Sequence, residues 1–203
     1  DCVKKNWQNF SINIDSKTNH LSCNDYPYQS IDSGLFYKKI NKKIKSNKNI
    51  FFFEDLKELD LSNSFIFNSL PSIKQSHQNL WQHFCGIEIE TQKEIFDDSI
   101  FNLMDFDCDQ RESVHFFYTL TYSKKKALIE TTWLSTMNDD LLKDYDNQLK
   151  DYIERNLGIR NYKITYKEQG AIPLFYPLYK KEKMKMNIGT AGRMTRLSTG
   201  YTF

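Results

Sequence analysis

This chain has no excess of charge of either sign. Lys and Arg number 28 against 26 Asp and Glu, a net charge of +2 over 203 residues, so the basic footprint of a nucleic-acid binder is missing. The runs Lys42-Lys43 and Lys124-Lys125-Lys126 read as solvated faces or turns rather than phosphate-binding patches. Cysteine is sparse too. Cys2, Cys23, Cys85 and Cys108 form no C-x-x-C pair and have no histidine at ligand spacing, which argues against a zinc or other metal site and against a dense disulfide framework, and suits a reducing cytoplasm. No apolar run approaches the roughly 20 residues that span a bilayer, and no signal peptide is visible, so any membrane contact is expected to be peripheral. The chain runs from Asp1 to Phe203, and both ends look cut, as in a fragment of a longer protein.

Glycine is scarce until the end. Three of the seven glycines, Gly189, Gly192 and Gly200, fall within twelve residues of "NIGTAGRMTRLSTGYTF". A strand ending in Gly189-Thr190-Ala191-Gly192, followed by Ser198-Thr199-Gly200, would present backbone N–H groups and a helix N-terminus to an anionic or electron-rich ligand. The same spacing also fits a plain strand-loop-helix connection.

Elsewhere the patterning is regular. Phe36, Ile40 and Ile44 recur four apart behind Ser33, which predicts an amphipathic helix over 33–47. "NIFFFEDL" and "NSFIFNSL" read as short strands, with Ile50 to Phe53 buried on both faces, and together these suggest part of a layered α/β domain. From His83 onward, "HFCGIEIETQ", "SIFNLMDFDC", "SVHFFYTLTYS" and "KALIETTWLS" are four strand-like runs separated by turn signals. They predict an antiparallel sheet with a hairpin at 123–126 that sets "HFFY" beside "LIETT". Over 138–158, Leu141, Leu142, Tyr145, Leu149, Tyr152 and Ile153 share one face of a helix capped by Asn138 or Asp139 and ended by Gly158. "NYKITYKEQGAIPL" then returns as a strand to Pro173, and "KMKMNIG" leads into the glycine segment.

The closing segment, with "YPYQSIDSGLFY", "FIFNSL", "FCGIEIET", "FNLMDF", "HFFYTLTYS", "ALIETT" and "EQGAIPL" in the same order, resembles the lycopene cyclase family of flavoproteins over nearly the whole chain. The resemblance implies an α/β (α+β) protein. Its FAD/NAD(P)-binding Rossmann-like flavoprotein domain is discontinuous in sequence and holds an inserted antiparallel substrate domain. Residues 1–81 would belong to the FAD-binding part and a connection, 82–173 to the substrate domain with its helix, and 174–203 to the return. Such a fold opens on a G-x-G-x-x-G turn that holds the FAD pyrophosphate, and no such motif occurs in this sequence.

The resemblance also implies residues. Glu130 in "LIETT" matches the family's acid-base glutamate, with Thr131 where relatives carry a second acid; without the resemblance, the strand reads Glu130 first as an outward-facing carboxylate in a salt bridge. Asp105 in "LMDF" and Glu168 in "KEQG" are further catalytic candidates, with structural hydrogen bonding and chain positioning as their other readings. Gly189, Thr190, Ala191, Gly192, Ser198, Thr199 and Gly200 are the flavin-contacting candidates, and Arg193 replaces a second glycine of the family pattern. Phe116, Phe117, Tyr118 and Trp133 flank the hairpin, and those facing a pocket would wall an apolar tunnel or stabilise a cation. The implied function is cyclisation of the linear ends of lycopene to β-rings, using reduced FAD with NAD(P)H as reductant and no net redox change. The carotenoid would be collected by a cytoplasmic protein peripherally associated with a membrane. Two alternatives stand beside it: another flavin-dependent oxidoreductase of the same fold, such as a hydroxylase or dehydrogenase, and a non-catalytic carotenoid- or lipid-binding module.

Overall fold

A computed structural model describes residues 2–202 except 56, 58, 74–78 and 137–142. The strands are β1 (Val3–Trp7), β2 (Asn9–Ile14), β3 (Lys17–Ser22), β4 (Tyr28–Ile31), β5 (Ile66–Asn68), β6 (Leu80–Glu90), β7 (Ile100–Asp105), β8 (Val114–Ser123), β9 (Lys126–Thr136), β10 (Lys163–Pro173) and β11 (Lys185–Asn187). Helix α1 spans Ser33–Lys45, α2 spans Tyr145–Asp151, and a π-helical turn follows at Tyr152–Asn156.

Seven strands form one sheet in the order β10-β6-β9-β8-β7-β2-β3. All its pairings are antiparallel except β2 with β7. The four runs expected from His83 onward are β6 to β9, and the hairpin between β8 and β9 sets Tyr118 opposite Glu130. Two of the sheet's strands, β2 and β3, come from residues 9–22, which the resemblance assigned to the FAD-binding part.

Alternation along these strands divides the sheet into two faces. On one, Cys85, Ile87 and Ile89 of β6, Phe117 of β8, and Ile129 and Trp133 of β9 pack against Tyr145, Leu149, Tyr152 and Ile153 of the helix. The Phe117 and Tyr152 rings stack at 3.9 Å. The helical face expected from the periodicity is therefore the buried one, although its capping residues Asn138 and Asp139, and Leu141 and Leu142, lie outside the described residues. Gly158 leaves the helix at φ +68°, the left-handed conformation that a glycine stop supplies.

Two buried histidines tie this layer together. The His83 ring nitrogens meet the Tyr145 hydroxyl and, at 2.7 Å, Ser135 Oγ. His115 Nδ1 donates to the Asp109 carbonyl at 2.8 Å, its Nε2 lies 2.8 Å from Thr131 Oγ1, and its ring stacks on Trp133. Burial pushes both histidines down from 6.5 to about 4.

Three expectations need correction. The Rossmann-like core does not appear among the described residues. Parallel pairing is confined to β2 with β7 and β11 with β5, and α1 buries none of its residues, so the fold is mostly β-sheet. Residues 50–53 form no strand and are not buried, with Phe51 73 % exposed. An apolar run without alternation carries no information on which faces are covered. Helix α1 is capped by Asp32 rather than Ser33, through Leu35 N–H donating to Asp32 Oδ1 at 2.8 Å.

Candidate functional site

The second face of the sheet floors a cleft of about 1000 Å³. Phe116 and Tyr118 of β8, Glu130 of β9 and Glu168 of β10 line it, as do Tyr28 of β4 and Ser198 to Tyr201 near the C-terminus. Of the four aromatic candidates, Phe116 and Tyr118 therefore face the cleft, while Phe117 and Trp133 belong to the helical core.

Glu130 sits at the centre of this floor. Strand alternation puts Leu128, Glu130 and Leu134 on the cleft side, and the Thr132 hydroxyl donates to Glu130 Oε1 at 2.8 Å. Burial pushes the carboxyl up to about 7; the Thr132 hydrogen bond opposes the rise and the nearby Glu168 adds to it. Glu130 is thus a carboxyl that titrates near neutral pH, where an acid-base group can both give and take a proton. It makes none of the salt bridges found among the described residues, so the salt-bridge reading finds no support.

Thr131 points the other way. It is fully buried in the helical core, bonded to Gln148 Oε1 at 2.8 Å and beside His115. Adjacent strand residues face opposite sides, so a second acid at position 131 would not share the cleft with Glu130. Glu168 does share it, as do Glu88 and Asp32; burial also raises Glu168, against the Tyr166 hydrogen bond and the charge of Lys4.

Asp105 lies on the helical side, not in the cleft. It accepts from the Tyr152 hydroxyl at 2.6 Å, from Asn13 Nδ2 at 3.0 Å and from the Asp107 amide at 3.0 Å. These bonds compensate a buried carboxyl that would otherwise be costly, as its structural reading expects.

The glycine segment divides in two. Ser198, Thr199 and Gly200 border the cleft, whereas Gly189, Thr190, Ala191 and Gly192 do not. Residues 189–194 close on themselves, with the amides of Gly192, Arg193 and Met194 bonded to the carbonyls of Gly189 and Thr190. A Cβ at Gly192 would meet the Asn187 carbonyl oxygen at 2.4 Å, so that glycine is required by the chain's own packing. No helix follows among the described residues. Arg193 takes the place of a glycine at φ +61°, donating to the Pro177 carbonyl at 3.2 Å between the Tyr176 and Tyr179 rings. Ser198 and Thr199, small and polar at the cleft's border, are the described residues whose chemistry would suit a flavin ring edge. Nothing in the described residues fits as a holder of the pyrophosphate.

Sequence reasoning missed several lining residues. Lys4 and Lys126 clamp Glu88 at 2.6 and 2.7 Å. Burial alone would raise that carboxyl, but the hydrogen bonds from Lys126, Lys4 and Thr165 outweigh it and leave it at about 2. Tyr28, pushed up to about 12 by burial and by neighbouring Tyr201 and Glu130, comes from a strand no periodicity announced. Gly86, opposite Glu130, was the one signal available: a glycine inside a central strand marks a bulge or a close approach.

The family model described as lycopene cyclase protein matches residues 53–203. No match among curated proteins was found. Among solved structures, the fold is similar to that of a geranylgeranyl bacteriochlorophyll reductase-like protein from Thermoplasma acidophilum, with a TM-score of 0.68 and 10% identity over 99% of this chain and 58% of that one. It is also similar to a flavin-dependent brominase, with a TM-score of 0.58 and 9% identity over 94% of this chain and 56% of the other. The chain thus spans somewhat more than half the length of either.

Proposed function

This chain belongs to the lycopene cyclase family, and from that premise we propose that it forms the proton-handling cleft of a flavin-dependent enzyme that cyclises the linear end of a carotenoid such as lycopene. The observation that carries the reading is Glu130: a carboxyl on an aromatic-walled cleft floor, raised by burial to about 7. Glu130 gives its proton to the terminal double bond, and the cation closes on the neighbouring double bond. A base then removes a proton from a ring carbon, so electrons balance and substrate and product have equal mass. Phe116 and Tyr118 exclude water and turn π faces toward the cation. Ser198, Thr199 and Gly200 are the residues that would border FAD, whose reduced form, maintained by NAD(P)H, supplies electrostatic support when bound. Collection of the carotenoid at a membrane surface is supported by the exposed Leu35 and Phe36 on lysine-rich α1 and by exposed Phe51 to Phe53. No helix among the described residues is long and apolar enough to cross a membrane.

The second reading is a flavin-dependent oxidoreductase acting on an isoprenoid, favoured by the likeness to the reductase-like protein and the brominase. Mass spectrometry of the product formed from lycopene by the flavin-loaded holoenzyme in D₂O separates the two. Cyclisation yields a product of unchanged atom count carrying one solvent deuterium per ring, with no stoichiometric NAD(P)H oxidation. A product shifted by two hydrogens, or carrying added oxygen or halogen, contradicts the cyclase and leaves the oxidoreductase standing.

A further inference from the structure

Four strands set four positions in one line across the cleft floor. Tyr118 of β8 pairs with Glu130 of β9, Glu130 with Gly86 of β6, and Gly86 with Glu168 of β10. Residues two strands apart on one face have Cα atoms about 9.5 Å apart, and a side chain on the middle strand normally stands between them. Position 86 has none. A Cβ there would meet Glu168 Cγ at 3.3 Å, Glu130 Cβ at 3.4 Å and Glu168 Oε1 at 3.4 Å, so both glutamates touch one point and the Glu168 carboxylate folds over the middle strand. Gly86 is not among the glycines with positive φ. Space, not backbone conformation, is what requires it.

We propose that Glu130 and Glu168 act as a pair on one substrate end, Glu130 as proton donor and Glu168 as proton acceptor, with Gly86 the positioning residue that lets them approach. This rests on the cyclase reading. A C–H bond forms with the Glu130 proton, the ring C–C bond forms from the neighbouring double bond, and a ring C–H bond breaks with its proton passing to Glu168. Glu130 ends as carboxylate and Glu168 as acid, and proton exchange with water resets the pair. The surroundings divide the roles. Glu130 is faced by the hydroxyls of Thr132, Tyr118, Tyr28 and Tyr122, and by Glu168, with no cation among the causes that set its proton affinity. Glu168 is raised by burial and by the charge of Glu88, but unlike Glu130 it also has a cation, Lys4, which with the Tyr166 hydrogen bond favours its ionised form; Tyr122 lies beside it too. Paired carboxyls in unlike environments separate into an acid and a base.

The test is the rate–pH profile of the flavin-loaded holoenzyme with lycopene, beside a ¹³C-glutamate NMR titration of the 203-residue chain. The parent should give a bell, with an acid limb set by Glu168 and an alkaline limb set by Glu130. Glu168→Gln should slow turnover by about 10²- to 10⁴-fold and lose the acid limb while keeping the alkaline one. Gly86→Val, which keeps strand propensity but fills the gap, should slow turnover comparably, its fold checked by thermal melting. In the NMR titration, Glu168→Gln should lower the Glu130 midpoint, because a neighbouring negative charge is gone. A Glu168→Gln profile with both limbs intact, or an unmoved Glu130 midpoint, overturns the pair. If the parent instead forms no deuterated ring, the cyclase reading falls and with it the donor and acceptor roles, while the Glu130 midpoint still decides whether the carboxyls are coupled.

Discussion

Lowering the pH from 7 to 5 should weaken this fold through two histidines that have no room for a second proton. His83 and His115 are buried at 0% and 3% exposure, and each falls from 6.5 to about 4 on folding. A group whose folded value is depressed gives stability that is complete above its unfolded value and is lost as the pH falls toward its folded value. The window here is therefore pH 6.5 down to 4. Between pH 7 and 5 the loss is about 2 kcal/mol per histidine. Glu130 works in the opposite direction. Its folded value is raised from 4.5 to about 7, so over the same interval it regains about 2 kcal/mol, and the raised Glu168 adds to that. Replacing both carboxyls, Glu130→Gln with Glu168→Gln, removes the compensation and leaves the histidines' combined loss of about 4 kcal/mol, a large share of the 5–15 kcal/mol typical of a domain. Urea unfolding followed by tryptophan fluorescence at pH 7, 6 and 5 measures it. A midpoint in the double variant that stays flat across that range would refute the reasoning.

Two further outcomes are expected. Thr131→Asp should not create a second catalytic acid; it should bury an unpaired charge beside Gln148 and His115, costing roughly 3–5 kcal/mol, seen as a loss of most of the urea midpoint. The 203-residue chain should not retain FAD through gel filtration, since the amides of 192–194 are spent within their own turn and no G-x-G-x-x-G occurs in the sequence; co-elution of stoichiometric flavin absorbance would contradict that.

What the sequence disclosed follows from where periodicity carries information. Alternation in residues 83–136 predicted β6 to β9 and the hairpin, and the faces of Glu130 and Thr131 follow from adjacency alone. The helix face was legible because Tyr145, Leu149, Tyr152 and Ile153 repeat at helical spacing. Which side of the sheet Asp105 would take was not legible, because its face depends on the register of β7 against β8, where it pairs with Phe117, and no local pattern encodes that. Residues 50–53 misled because a uniformly apolar run fits a buried strand and an uncovered segment alike. The glycines at 189 and 192 fitted a ligand and a plain connection alike, because a glycine demanded by a positive φ, as at 189, or by internal packing, as at 192, looks the same in sequence as one demanded by a cofactor. The glutamate pair was hidden in pairings two strands apart, although Gly86 was the clue.

The central claim is that burial in the cleft raises the Glu130 carboxyl to about 7, so that a substantial fraction of it stays protonated at neutral pH. Site-assigned ¹³C NMR of its side-chain carboxyl across pH 3 to 9 measures this directly. The account predicts a midpoint near 7, where burial pushes it; a midpoint near the ordinary 4.5 would mean an ionised carboxylate in the resting cleft, and the acid role would be lost.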